Sequence, residues 1–265
     1  MLRTTYNYKV EDSEAFKRQL LIWSQQFDDV VWLDSNHNKG KYGSYDAILA
    51  VDALTSIQTD YSNGFEKLKE YQSNVKDWIF GYLTYDLKND LEWLQSNNHD
   101  GLQFPDLYFF QPKKLFFIKG NTVKIKYLNA VHDVLEEDLL AIEKSNVHYV
   151  KQESDPVKIK LRIHKDEYFK KLDLMLAHIF RGDIYEANFC YAFQGKNVEI
   201  NPLAIYQKLN SKTLAPFSVY GQFENHFILS ASPERFIKKQ GLKIISQQAI
   251  VFIPIIKVST KKLLH

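Results

Sequence analysis

The 265 residues set 34 Lys and Arg against 32 Asp and Glu, a formal net charge of +2, and are 45% hydrophobic and 25% charged. Such a chain can bury a sizeable core, which excludes disordered and fibrous classes. The near balance of charge gives no general attraction to nucleic acid or to an anionic membrane, and only five of the cations are Arg, the residue that phosphate clamps favour.

A single cysteine, Cys190, excludes an internal disulfide and a thiolate zinc site. The opening Met1-Leu2-Arg3-Thr4-Thr5-Tyr6 lacks the apolar run of a signal peptide. The longest apolar stretch, residues 249–256, is too short to span a bilayer and contains Pro254. A soluble, reducing, cytoplasmic setting is expected.

Phe16, Leu20, Trp23 and Phe27 recur at helical spacing behind Asp12 or Ser13, either of which can cap a first helix. Residues 30–33 and 47–51 read as short buried strands. Phe65, Leu68, Tyr71 and Val75 predict a second amphipathic helix opened by Ser62-Asn63-Gly64. Residues 78–85 form an aromatic-rich strand around Gly81, and the period of Trp78, Phe80, Tyr82 and Tyr85 fits a sheet core better than a stacking platform. Residues 115–118 and 123–127 flank Lys119-Gly120-Asn121, a hairpin turn.

A short helix over residues 135–142 precedes the polar stretch 150–156, the best candidate junction between two modules. Residues 157–163 alternate like a strand. Tyr168, Leu172, Met175 and Ile179 predict a helix that stops at Gly182. Asn201-Pro202 opens another short helix. Strands are expected over 218–222, 227–229 and 236–238, with Gln240-Gly241 turning into a fourth over 243–245.

Generic catalytic motifs are absent: no dinucleotide fingerprint, no phosphate-binding Gly-Lys-Ser/Thr loop, no His-Glu-x-x-His. His164 with Asp166, and His178 with Asp183, are close in sequence, but neither pair builds a metal site alone. Cys190 reads as a packed thiol between aromatics rather than a nucleophile, because no base adjoins it. Two stretches resist a purely structural reading. Arg181-Gly182-Asp183-Ile184-Tyr185-Glu186-Ala187-Asn188-Phe189 ends a helix and launches a strand while crowding polar groups together. Ala231-Ser232-Pro233-Glu234-Arg235-Phe236 puts a Pro and a carboxylate between two apolar strands.

Both stretches resemble signatures of the chorismate-utilising enzymes: Gly182 to Asn188 is similar to Gly-Asp-Ile-Tyr-Gln/Glu-x-Asn, and residues 231–236 to Ala-Ser-Pro-Glu-Arg-Phe. Ala215-Pro216-Phe217-Ser218-Val219-Tyr220 resembles the family's Pro-Phe/Tyr-x-x-Tyr strand. Trp32-Leu33-Asp34-Ser35 is similar to its Leu-Leu-Glu/Asp-Ser element, and Gly81-Tyr82-Leu83-Thr84-Tyr85-Asp86 to its Gly-Tyr-Leu-x-Tyr-Asp strand. Five motifs in order, from about residue 30 to Gln247, make the resemblance specific. Within the family the best fit is aminodeoxychorismate synthase component I, because anthranilate synthases usually carry an apolar residue where Asn188 stands.

The resemblance implies amination of chorismate at C4 with ammonia from a glutaminase subunit, on the para-aminobenzoate route to folate. It implies an α/β (α+β) fold, an incomplete two-layer sandwich of mostly antiparallel sheets with outer helices. Residues 1–150 would form the N-terminal-like region, 157–247 the start of the chorismate-binding domain, and 248–265 a tail foreign to the family. Glu234 matches the catalytic carboxylate, cast as general acid/base at the C4 oxygen and the incoming ammonia; a carboxyl can protonate a poor leaving group in the transition state. Asp34, Ser35, Pro216, Phe217 and Ser218, with Tyr45 beside them, match segments of an amino-acid (tryptophan) pocket. Gly182, Asp183, Tyr185 and Asn188 carry the family signature.

The match breaks after Ile245. The family's Gln-Pro-Ile-Lys-Gly-Thr lysine motif is absent, and Pro254-Ile255-Ile256-Lys257 only echoes it. Mg²⁺ is expected for the full-length family, but no Asp or Glu follows Glu234. A truncated gene or changed reading frame accounts for so abrupt a switch, and a chain shortened in this way is expected to be inactive alone. Anthranilate synthase component I, or a non-catalytic amino-acid-binding remnant, are the competing readings.

Overall fold

The computed structural model describes residues 2–38, 44–145, 157–196, 198–246 and 255–259. In chain order the first elements are β1 (Arg3–Lys9), α1 (Ser13–Trp23), β2 (Asp29–Asp34), β3 (Ala47–Thr59), α2 (Gly64–Val75), β4 (Phe80–Leu83), α3 (Lys88–Leu91), β5 (Leu107–Lys119), β6 (Thr122–Leu128) and α4 (Leu135–Lys144). They are followed by β7 (Lys160–Leu161), α5 (Lys165–Arg181), β8 (Phe193–Gln194), α6 (Pro202–Thr213), β9 (Phe217–Phe223), β10 (His226–Ser232), β11 (Ile237–Gln240), β12 (Lys243–Ser246) and β13 (Ile255–Ser259). Helices and antiparallel sheets combine in a mixed α/β architecture, as the resemblance implied.

Two compact units interleave along the chain. The larger comprises Met1–His148, Pro202–Pro233 and Pro254–His265; the smaller comprises Tyr149–Asn201 and Glu234–Ile253. The junction expected over 150–156 lies outside the described residues.

The larger unit is one sheet in the order β1-β6-β5-β3-β2-β9-β10-β13, with β4 also pairing with β5, and every pairing antiparallel. Strand side chains alternate between its faces. One face buries Val30, Trp32, Leu49, Val51, Phe116 and Ile125 beneath α1, α4 and α6, which contribute Phe16, Leu20, Trp23, Ile142 and Tyr206. The other gathers Val31, Ala50, Tyr108, Phe110, Leu115, Phe117 and Phe223. α1 starts where Asp12 accepts the Glu14 and Ala15 amides, each at 2.9 Å.

The strand expected over 115–118 extends back to Leu107 as β5, and other differences have local causes. β1 alternates weakly because it is an edge strand rich in polar residues; its Arg3 donates to both Asp77 carboxylate oxygens at 2.7–3.0 Å. β3 runs to Thr59 through a register shift at Ala53/Thr55, and its exposed far half reads as polar. Within the aromatic stretch only residues 80–83 are strand, Trp78 and Tyr85 being exposed at its flanks. Gly81 is required there: a Cβ at this position would stand 1.9 Å from the Tyr108 carbonyl oxygen.

In the smaller unit, α5 ends at Gly182 with φ +84°, the left-handed conformation that glycine adopts freely. The strand expected over 157–163 is reduced to β7, paired with β8 over two residues. Residues 184–192 contain no strand, and Cys190 is exposed instead of packed between aromatics. The local alternation lacked a partner strand to order it. Phe180, Tyr185, Phe236 and Leu242 are 88%, 93%, 76% and 103% exposed.

Two measurable consequences follow. Asp29, buried on β2 and accepting a hydrogen bond from the Tyr108 hydroxyl at 2.8 Å, has its carboxyl pushed up to about 6, chiefly by burial. A raised carboxyl favours the folded state while protonated and loses that stability as pH rises through about 6. Asp29→Asn is expected to flatten the fall in urea-unfolding stability between acidic and neutral pH and to gain about 1–3 kcal/mol at neutrality. The exposed aromatic and aliphatic groups of the smaller unit should raise the fluorescence of an apolar dye on adding native chain; an unchanged signal would contradict their placement.

Candidate functional site

The sequence-predicted residues fall into two groups, one in each unit. In the larger, β2 pairs with β9 in register, so that Asp34 stands opposite Ser218 and Leu33 opposite Val219. The turn after β2 is tied to the segment entering β9: the Asn36 side-chain amide donates to the Asn210 side-chain oxygen at 2.8 Å and to the Ala215 carbonyl at 2.7 Å. Asn210 donates back to Asn36 Oδ1 at 2.9 Å, and Asn38 donates to the Leu214 carbonyl at 3.2 Å. Segments distant in sequence thus share a sheet and a polar clasp. Ser35 lies in that turn, its amide donating to the Asp46 carbonyl at 2.8 Å.

Strand alternation nevertheless divides the predicted pocket. Asp34 and Ser218 share the face of Trp32 and Tyr220, beneath α1 and α6. Asp34 is buried, with the buried Lys17 Nζ 3.6 Å from Oδ1, and the Asn36 amide donates to the same oxygen at 2.8 Å. Burial raises its carboxyl above the ordinary value, against the lowering pull of Lys17 and the Asn36 amide. Ser218 donates to the Tyr206 hydroxyl at 3.0 Å. Both polar groups are occupied within the protein. Phe217, one residue away, falls on the opposite face, where Tyr45 packs against Phe117 at 4.9 Å between ring centroids. Pro216 is half-buried just before β9. Two surface hollows among the described residues, of about 410 Å³ and 430 Å³, are lined by other residues: Tyr6, Tyr8 and Leu139 among those of one, Gln72 and Trp78 among those of the other.

Lys17, Tyr206, Asn36 and Asn210 were not singled out from the sequence. For Lys17 a signal existed: it stands three and four residues before Leu20 and Leu21, inside the buried stripe of α1.

The smaller unit holds Gly182, Asp183, Tyr185, Asn188 and Glu234 together. The Gly182 and Asp183 amides donate to the Ile179 and His178 carbonyls, each at 3.0 Å, and so close the end of α5. The Asp183 carboxylate accepts from Arg181 Nε at 2.8 Å and lies 2.7 Å from His178 Nδ1. Those two partners, Arg181 first, hold its carboxyl below the usual range. Tyr185 and Asn188 are exposed in the irregular stretch after α5, and Glu234 is half-buried before β11. Among the described residues no group of three or more His, Cys, Asp or Glu is placed to hold a metal ion. No described helix is long and apolar enough to cross a membrane.

The family model described as chorismate binding enzyme matches residues 14–250. An anthranilate synthase component I-like protein of Synechocystis sp. is 27% identical over 175 residues, 62% of this chain and 34% of the relative. Aminodeoxychorismate synthase component 1 of Salmonella typhimurium is 36% identical over 75 residues, 28% of this chain and 16% of the relative. The crystal structure of anthranilate synthase component I from Streptococcus pneumoniae TIGR4 superposes with a TM-score of 0.63 at 15% identity, covering 77% of this chain and 55% of that one. The chain thus spans about a third of the Synechocystis relative's length and about half of the solved structure's.

The Lys17–Asp34 pair makes a stability prediction. Lys17→Met leaves a buried carboxylate without its counter-charge, at an expected cost of about 3 kcal/mol by urea unfolding. The deficit should shrink as pH falls and Asp34 takes up a proton, and Asp34→Asn in the same chain should restore most of it. Additive losses in the double variant would show that the two side chains do not interact.

Proposed function

Since the chain belongs to the chorismate binding enzyme family, we propose that it serves aminodeoxychorismate synthesis, supplying the N-terminal sheet and the acid/base carboxylate of a component I. The reading rests on the Gly182–Asn188 signature with Glu234, five ordered motifs in all, and on Asn188 in particular. Relatives named aminodeoxychorismate synthase component 1 support it over the stretch they match.

In this reading the Glu234 carboxyl gives its proton to the departing C4 hydroxyl of chorismate as ammonia bonds to that carbon. It then takes one back from the new ammonium, so that ammonia enters and water leaves. The ammonia comes from a glutaminase partner, in keeping with the name component 1, and the product leads toward para-aminobenzoate and folate. The described residues bring no group of three or more His, Cys, Asp or Glu together for a Mg²⁺ ion, and the step at Glu234 runs without one.

Anthranilate synthase component I is the second reading, favoured by the longer stretch over which such relatives match, 62% to 66% of the chain. Product identity separates the two. The chain alone, given chorismate, ammonium and Mg²⁺, is expected to form no aminated product. Fused to the C-terminal portion of the Salmonella typhimurium relative, it should yield 4-amino-4-deoxychorismate, and Glu234→Gln should abolish that yield. Anthranilate from the fusion would overturn the first reading in favour of the second; product from the unfused chain, lost in Glu234→Gln, would overturn its expected dependence on further sequence.

A further inference from the structure

β13 lies beyond residue 250, where the family match stops, yet it joins the large sheet at the edge of β10. It runs antiparallel to β10 over five consecutive positions, His226 opposite Ser259 through Ser230 opposite Ile255. Residues 249–256 carry no charge and a single Pro, a composition prone to β-aggregation when exposed. In the fold, 255 and 256 begin an ordered strand.

The neighbour they pair with explains why that matters. β10 reads His226-Phe227-Ile228-Leu229-Ser230-Ala231-Ser232, seven residues with no Pro and no Asp, Glu, Lys or Arg. Its other side is taken by β9 over its whole length. Without β13 it would present a long, apolar row of unpaired amides and carbonyls, a template for another chain. β13 is built differently. It has five residues, Pro254 immediately before it, and Lys257 at its centre, opposite Ile228. Short length, proline and a central lysine are the means by which natural sheets discourage edge pairing. At the far end of the sheet β1 is comparably protected, with Arg3, Asn7 and Lys9 along it.

We propose that the outer edge of β10 is a strand-accepting surface whose occupant is this chain's own segment 255–259, and that the segment acts as a gatekeeper against a second copy. The residues that pair with β10 supply backbone partners, and a strand this short, with a lysine in its sequence, discourages further addition.

The test compares the full chain with three variants: deletion of 248–265, the double substitution Ile256→Pro/Lys257→Pro, and Lys257→Val. Size-exclusion light scattering at tens of micromolar reads association, and amide hydrogen exchange reads β10. Deletion and the proline pair should each shift the chain to larger species than the parent. A synthetic peptide of residues 253–261, added in excess to the deleted chain, should return it to the parent's size and restore protection of residues 227–230. Lys257→Val should keep that protection but associate at several-fold lower concentration, because it retains the strand and loses only the charge. If the deleted chain does not fold, the proline pair in the full chain and Lys257→Val decide the matter. Parent-like size and parent-like β10 exchange in the variants, or a peptide without effect on a folded deleted chain, would overturn the proposal.

Discussion

The larger unit depends on β2 being buried on both faces while hydrogen-bonded on both edges. A strand in that position has no tolerance for slippage: a shift of one residue would move Trp32 and Val30 out from under α1 and drive Val31 among the helices. The register with β9 is further pinned outside the ladder. The Tyr220 hydroxyl donates to Gln25 Oε1 at 2.8 Å, and the Gln222 amide to the Phe27 carbonyl at 3.2 Å. At the other end of the same strands the Asn36–Asn210 amide pair closes the clasp. β2 is thus fixed at both ends and on both sides, and the placement of α1, α6 and the turn at Asn36 follows from it.

That arrangement also explains what becomes of a motif when its residues alternate. Asp34-Ser35 and Pro216-Phe217-Ser218 are brought to neighbouring strands, as one cavity would need, yet adjacent residues of a strand face opposite ways. The carboxylate and hydroxyl at Asp34 and Ser218 are turned toward Lys17 and Tyr206, whereas Phe217 and Tyr45 fall on the far face. Proximity along a motif carried the pairing of segments correctly and said nothing of which side chains would meet.

Helices with a cap and a clean apolar stripe were legible in the sequence: α1 behind Asp12, α5 ending at Gly182, α6 opening at Pro202. So was the β5–β6 hairpin across Gly120. Legibility failed where tertiary partners do the specifying. β1 owes its strand state to β6 and to the Arg3–Asp77 pair, and β13 owes its own to the edge of β10. Conversely the alternation around Cys190 promised a strand that has no neighbour to complete it. In the site, the signature residues were identifiable by type and order. The Lys17 partner of Asp34 was hidden inside an otherwise apolar stripe, where a charge is easily read as solvated.

The clasp between β2 and β9 has a consequence for the order in which the chain can become a protein. Tyr220 and its partner Gln25 are 195 positions apart, so β2 leaves the ribosome with one edge paired to β3 and the other waiting. Until residues 217–223 have been made, that edge, Val-Val-Trp-Leu at its middle, stays open beside a growing chain. The rate at which β9 arrives, rather than the strength of any contact in the finished sheet, sets how long the nascent polypeptide is exposed to misassembly.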